Sequence, residues 1–421
     1  MSIEMTKNIV TEELIKKILN QEGTISELDV KDLCSQGENY TANLLDVKFK
    51  FTKDGGSEAQ YNFVLKYPNE ESFMYQAGKM MNLYRKETLM YSKLIPNAIN
   101  WQQKQFGKVM YAAPAPKLLY CDEENDIIVI ENLRESDYIV EPRQIGKNYE
   151  QCKAVMKSLA EFHAIMLAYL QSFETEDDFF ELYPYARITD KAIYQNILEP
   201  PNALEQKRKL LDPILNVLKS AVPEKDKVFD KYSKHVLSEA IAKNAYMSIL
   251  PNAEFNVICH GDLWNNNVMF LNELTGSVKN CKFIDFQLYK YCTPSADVGH
   301  FLWMSASTDV IRDHRIDLLK LYYEVLNTAM NDMKGSVQFS IEDLLRHFEE
   351  SYDFGLQFAV TSAVIMFASK EKAVSANVRD ADENPMVEFA KQIDKFTENI
   401  DKNALQRIVS LIELGEHLNI Y

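Results

Sequence analysis

The sequence predicts an α+β chain of two lobes, a small sheet-bearing N-terminal lobe and a large, mainly helical C-terminal one. Three observations carry this. Strand-like runs at 45–51, 61–67 and 127–131 crowd the first third of the chain, with apolar residues alternating or unbroken. From Asn148 onward, apolar residues recur at helical spacing. A polar break at 132–137 separates the two regimes, so 1–131 reads as the first lobe, 132–137 as a hinge and 138–421 as the second lobe.

In chain order, TKNIVTEELIKKILN at 6–20 carries an amphipathic helical pattern. After the turn glycine Gly37 comes LDVKFKF at 45–51, whose alternation is that of a half-buried strand. Lys53-Asp54-Gly55-Gly56 supplies a turn, and YNFVLKY at 61–67 returns as the second strand of a hairpin. Gly37 then lies near the start of that hairpin's first strand and Lys66 near the end of its second. The helical pattern at 73–95 is expected to stop before Pro96, since an interior proline removes a helix hydrogen bond. A strand at 117–121, a turn at 122–126 and the apolar IIVIE at 127–131 complete the lobe.

In the second lobe, 148–172 is a strong helix bearing SLAEFHAIMLAYL, and 174–250 is mostly helical and rich in Tyr and Phe. Short strands at 255–259 and 268–271 flank a polar loop, a further strand at 282–284 follows, and the chain from Ser295 is helical. The apolar stretch 354–368 is shorter than a membrane span and reads as a buried helix.

The 421 residues, 46% hydrophobic and 26% charged, have the make-up of a globular protein with a sizeable core. The formal net charge of -16 argues against a nucleic-acid or anionic-membrane partner, while leaving room for an anionic ligand at a local basic or metal-bearing site. Cys34, Cys121, Cys152, Cys259, Cys281 and Cys292 are scattered, with no CxxC pair, and the N-terminal segment lacks the apolar run of a signal peptide. A cytoplasmic protein with reduced thiols is expected, as a monomer or weak dimer.

The polar loop is CHGDLWNNNVMF, residues 259–270. Asn disfavours helix and strand interiors, so three in a row between strands mark a loop with a task. Phosphoryl transfer asks a protein mainly for positioning and charge neutralisation. It needs a carboxylate to orient the attacking hydroxyl, hard oxygen ligands for Mg²⁺, a cation on the nucleotide phosphates and a carboxylate to hold that cation. The protein-kinase catalytic loop sets its Asn five residues after its Asp, and Asp262 and Asn267 have this spacing. Asp262 is the candidate catalytic base. Asn267 and Asp285, the latter in FIDFQ, are candidate metal ligands. Lys66 is the candidate phosphate lysine and Glu87 its partner. The set implies a nucleotide and Mg²⁺ as cofactors.

HGDLWNNNVMF followed by FIDFQ resembles the ecdysteroid kinase-like family of insects, within the wider group of aminoglycoside phosphotransferase- and choline kinase-like enzymes. Gly37-Glu38-Asn39-Tyr40, Val64-Leu65-Lys66, YRKETLMYSKLIP around Glu87, Val129-Ile130-Glu131-Asn132-Leu133 and LAEFHA at 159–164 extend the resemblance over nearly the whole chain. It implies a bilobal protein-kinase-like fold, ATP and Mg²⁺ as cofactors, and a small-molecule alcohol as acceptor, namely a hydroxyl on an ecdysteroid, another steroid or a foreign alcohol. It also implies that Gly37 and Asn39 lie in the loop over the phosphates and that Glu131 and Leu133 offer backbone contacts to adenine. Four departures from the protein-kinase pattern stand out: no GxGxxG precedes the first strand, Gly261 stands in place of Arg, Gln287 in place of the Gly after Asp-Phe, and no Ala-Pro-Glu follows. A phosphorylation-switched activation loop is therefore not expected.

On the residues alone, a choline-, ethanolamine- or sugar-type kinase and a catalytically silent hormone-binding pseudokinase stay open. His260 is expected to be structural, bonding backbone near the Asp285 turn. A zinc site from His260, Asp262 and His300 lacks the short ligand spacing such sites show. Asp297 is expected to cap the helix that follows and to brace the loop. Trp264, Phe301, Trp303, Tyr183, Tyr185 and Tyr194 read either as core or as walls of an apolar acceptor pocket.

Overall fold

The computed structural model describes residues 9–33, 42–70, 72, 75–187, 203–239, 241, 250–251, 255–274, 276–367, 397–398 and 400–421. The chain folds as an α+β, bilobal, kinase-like structure: an antiparallel sheet region comes first and a largely helical remainder follows. Helix α1 (Glu12–Leu19) begins at Thr11, whose hydroxyl accepts the Leu14 N–H, and ends on Asn20 in the left-handed conformation.

Strands β1 (Gly23–Asp32), β2 (Ala42–Lys53), β3 (Glu58–Pro68), β4 (Leu118–Asp122) and β5 (Ile127–Glu131) form one antiparallel sheet in the order β1-β2-β3-β5-β4. Its inner face is Leu45, Val47, Phe49, Phe51, Phe63, Leu65 and Val129, closed by Ile15 of α1. The apolar pattern does not reveal β1. GTISELDVKD is an edge strand exposed at most positions, so it lacks the alternation a half-buried strand displays. The expected hairpin is therefore the second in the lobe, and Gly37 belongs to the β1–β2 connection, outside the described residues.

Helices α2 (Tyr75–Met80) and α3 (Leu83–Leu89) follow β3, and α3 runs through a π turn (Met90–Leu94) into α4 (Ile95–Phe106). The stop expected before Pro96 does not occur. The helix runs on through the π turn, and Pro96 falls in the first turn of α4.

A 3-10 turn (Leu133–Ser136) leads to β6 (Tyr138–Val140). Helix α5 (Tyr149–Leu170) is opened by a capping box between Asn148 and Gln151. Then come α6 (Glu176–Leu182), α7 (Ala203–Ala221) and α8 (Asp226–Val236). The strands flanking the polar loop belong to different sheets: β7 (Val257–Cys259) pairs with β10 (Lys290–Cys292), while β8 (Val268–Asn272) lies between β6 and β9 (Val278–Phe283). The loop thus bridges two small sheets and is held at both ends.

Helices α9 (Ser295–Ser305), α10 (Thr308–Asp332), α11 (Ile341–Glu350), α12 (Tyr352–Met366) and α13 (Lys402–His417) complete the lobe. α12 is the helix expected to be wholly buried, and most of it is, but Phe358 is 37% exposed. Among the described residues, Cys121, Cys152, Cys259, Cys281 and Cys292 are free thiols, and no helix is long and apolar enough to cross a membrane.

Helices α9 and α12 meet where Gly355 faces Trp303: a Cβ on Gly355 would sit 2.1 Å from Trp303 Cδ1. Gly355→Ala is expected to lower stability by about 1–3 kcal/mol through overpacking, read as a fall in the urea midpoint.

Candidate active site

Lys66 lies on β3, buried, and its ammonium donates to Glu87 Oε2 at 2.6 Å and to Asp285 Oδ1 at 2.7 Å. A lysine in this position needs such partners, because an unpaired buried charge is strongly unfavourable. Burial alone would lower the Lys66 pKa, but the Asp285 and Glu87 charges outweigh it and hold the ammonium above its ordinary value. Burial pushes the Glu87 carboxyl up to about 7, against the pull of Lys66. The sequence places Glu87 on a helix after the lysine strand, and α3 brings it there.

Asp285 follows β9 in a left-handed backbone with φ 68°, rare for a non-glycine residue and costly unless its surroundings impose it. They do. Phe283 N–H donates to Pro114 O at 2.7 Å, and Ile284 N–H to Asn267 O at 3.0 Å. Next along the chain, the Phe286 ring is buried against Tyr91, Phe162 and His260.

The loop from His260 to Asn267 is held from below by Asp297. Its carboxylate accepts the His260 N–H at 2.6 Å and the Gly261 N–H at 2.8 Å, and lies 3.1 Å from His163 Nε2. His163 Nδ1 in turn lies 2.7 Å from Tyr322 OH. Asp297 therefore braces the loop but does not cap α9, because its side chain is turned to the loop instead of the helix N–H groups. Burial would raise the Asp297 carboxyl. His163, His260 and the Gly261 N–H reverse that and bring it down to about 2. Gly261 sits at φ 86°, with Leu288 O 2.0 Å from where a Cβ would stand. This accounts for glycine where protein kinases carry arginine.

His260 is structural, as its position suggests. Its Nε2–H donates to Ile284 O at 3.0 Å, and its Nδ1 accepts the Asp262 N–H at 3.3 Å, fixing the neutral tautomer. Burial holds its pKa below the ordinary value. The zinc reading fails here, since Nε2 is committed to a carbonyl. Among the described residues, the donor cluster close enough for a metal is His163, Cys259 and Asp297. It is the hydrogen-bonded brace itself, with Cys259 Sγ donating to Thr293 O at 3.4 Å.

Asn267 Nδ2 donates to Asp262 O at 2.7 Å and to Asp262 Oδ2 at 3.1 Å, which turns the amide oxygen the other way. His300 Nε2 lies 3.4 Å from Asp262 Oδ1. Burial would raise Asp262, but the adjacent His300, with His260 and Asn267, holds the carboxyl below its ordinary range. The structure thus links Asp262, Asn267, Asp285, Lys66 and Glu87 through one continuous set of contacts.

The remaining candidates are more dispersed. The Glu131 N–H is bonded to Lys117 O at 2.9 Å, and its side chain accepts from Lys282 at 2.5 Å. Leu133 is buried with Tyr138 and Met269, beside Ile284. Gly37, Asn39, Tyr40 and Tyr194 lie outside the described residues. Phe301, Trp303 and Tyr183 are core residues, and Trp264 and Tyr185 pack against the core half-buried. The role of His300 has only a faint sequence signal, a polar residue inside the apolar ADVGHFLW. His163 is more legible, because a histidine on the apolar face of LAEFHAIML needs a buried partner.

The ecdysteroid kinase-like family is the family whose sequence profile matches the chain, over residues 36–335. No protein of curated function matches it.

Asp297→Ala leaves two buried N–H groups and His163 without their acceptor. It is expected to cost about 3–5 kcal/mol at pH 7, measured by urea unfolding. Because the folded pKa lies below the ordinary value, the Asp297 contribution is present above about pH 4 and fades in the wild type toward about pH 2. The gap between the two proteins should narrow over that range.

Proposed function

The chain belongs to the ecdysteroid kinase-like family, and from that membership we propose that it is an ATP- and Mg²⁺-dependent small-molecule kinase. It transfers a phosphoryl group to a hydroxyl of an ecdysteroid, another steroid or a xenobiotic alcohol, in hormone inactivation or detoxification. The free thiols support a cytoplasmic setting. The observation that carries the reading is the joining of Lys66, Glu87 and Asp285 to Asp262 and Asn267 across the two lobes.

The residues fit a magnesium ion. Asp285 offers carboxylate oxygen and Asn267 an amide oxygen turned away from Asp262, the hard oxygen donors Mg²⁺ takes. Two carboxyl groups face the single Lys66 ammonium, leaving acidic character for a dication to neutralise. Bound by Asn267 and Asp285, Mg²⁺ would supply charge neutralisation on the transferring phosphates.

Lys66 binds phosphate oxygens of the nucleotide, and Glu87 keeps its ammonium in place. Backbone groups of the Glu131–Leu133 segment meet the adenine, and the Gly37–Asn39 loop covers the phosphates. The acceptor hydroxyl lies against Asp262, which orients the attacking oxygen and takes its proton. The depressed pKa keeps Asp262 ionised at neutral pH and makes it a weak base, so orientation is its main contribution and the proton moves late.

The test is incubation of the protein with Mg²⁺-ATP and pooled steroids, plant-derived alcohols, choline and sugars, with mass spectrometry for a product one phosphoryl group heavier. A phosphorylated alcohol is expected, its formation slowed about 10²–10⁴-fold in Asp262→Ala. A product formed equally fast by Asp262→Ala, or no product with nucleotide bound, would contradict the reading. A pH profile gives a second check. Removing His300 takes away the largest influence holding Asp262 down, so His300→Ala should move the acid limb of kcat/KM to higher pH. An unmoved limb would separate His300 from Asp262.

A further inference from the structure

Lys86 is buried on α3, one residue before Glu87. Its ammonium donates to Tyr289 O at 3.3 Å and lies 5.8 Å from the centre of the Tyr289 ring. Among the described residues no carboxylate pairs with it. The groups that act on it are those of β10: burial and the Lys290 charge push its pKa down to about 8, and the Cys292 thiol pulls the other way. At neutral pH it therefore remains an ammonium, buried beside a like charge. An apolar side chain would fill the same space without that cost, so core packing alone does not account for a lysine here.

What Lys86 touches supplies another account. Helix α3 opens at Asn82 without a side-chain cap, so its first turn takes its order from packing. Lys86, Glu87 and Tyr91 all meet one short stretch of the second lobe. The Phe286 N–H bonds the Glu87 carboxylate, the Tyr91 ring stands edge-on to the Phe286 ring at 5.5 Å, and Lys86 holds Tyr289 O. That stretch begins beside Asp285 and runs into β10, where Lys290 faces Cys259, the residue just ahead of the loop from His260 to Asn267. Lys86 thus ties a helix of the first lobe to the strand pair that carries the loop in the second, by a route that bypasses Lys66 and Asp285.

We propose that Lys86 is a positioning residue, a tether between the lobes that keeps α3 in place so that Glu87 stays on Lys66. The tether stands on the bond, the burial and the position in the fold. Its consequence for a nucleotide rests on the kinase reading. The side chain touches no reacting group and acts through Glu87.

The test compares the full-length wild type with Lys86→Met, which keeps the length of the side chain and removes the donor. Lys86→Leu serves as a second variant, and thermal unfolding confirms that each is folded. Hydrogen–deuterium exchange read by mass spectrometry should be faster across 83–94 in the variants and unchanged across α5. In calorimetric titration, Mg²⁺-ATP should bind about tenfold more weakly, the size of losing one hydrogen bond made by a charged group. Adenosine, which has no phosphate for Lys66, should bind as before. The loss should vanish when Glu87→Gln is already present, because Lys86 acts through that carboxyl. Unchanged exchange across 83–94, unchanged ATP affinity, equal weakening of ATP and adenosine, or a loss that persists in full beside Glu87→Gln would each overturn the proposal. If the wild type binds no ATP, the nucleotide reading fails instead, and the exchange measurement alone decides the tether.

Discussion

The carboxylate of Asp297 is the constraint on which the site depends. It is fully buried, and a buried charge persists only when its hydrogen bonds are complete. Here two come from successive backbone N–H groups of the loop and a third contact from His163, itself set by Tyr322. A loop gripped through its own backbone at His260 and Gly261 has little freedom, and Gly261 takes a backbone shape that the nearby Leu288 carbonyl closes to larger residues. Asp262 is thereby pointed, Asn267 folds back onto it, and Asn267 O receives the Ile284 N–H just before Asp285. Asp285 then meets Lys66, and Lys66 meets Glu87. Tyr322 in the helical lobe and Glu87 behind the sheet are two ends of one chain of contacts.

The charges in this chain are arranged at odds with what stability alone would favour. Burying Lys66 between two carboxyls removes three ionisable groups from water, and replacing such clusters by apolar side chains is often neutral or stabilising. Burial drives Glu87 upward, while His300 keeps Asp262 down. Carboxyls of one linked site pushed in opposite directions are what a site needs when one must stay ionised against a reacting hydroxyl and another only steadies a cation. The positive φ of Asp285 belongs to the same pattern, strain held by surrounding structure where a functional group must point.

Much of this was legible in residue order. Lys66 in an apolar strand, Glu87 on the next helix, and Asp262, Asn267 and Asp285 around one loop are local signals, because residue type and spacing carry them. What escaped reading depends on partners far along the chain. β1 is exposed on an edge and has no apolar rhythm. Pro96 is accommodated by a π turn that no spacing announces. Asp297 resembles a helix cap until the fold turns it toward the loop. The aromatic residues picked out by composition, Phe301 and Trp303, are wholly buried, and Trp303 also borders, with Phe354 and Phe358, a small gap between α9 and α12. Gly37 and Asn39 lie outside the described residues, and their covering role rests on the sequence.

The most direct measurement is a calorimetric titration of ATP, with and without Mg²⁺, into the wild type and Asp285→Asn. Binding that Mg²⁺ strengthens in the wild type, with that strengthening lost in Asp285→Asn, is the expected result if this cleft holds a metal-bound nucleotide between Lys66 and Asn267. Equal Mg²⁺-dependent affinity in the two proteins, or no ATP binding by the wild type, would contradict it.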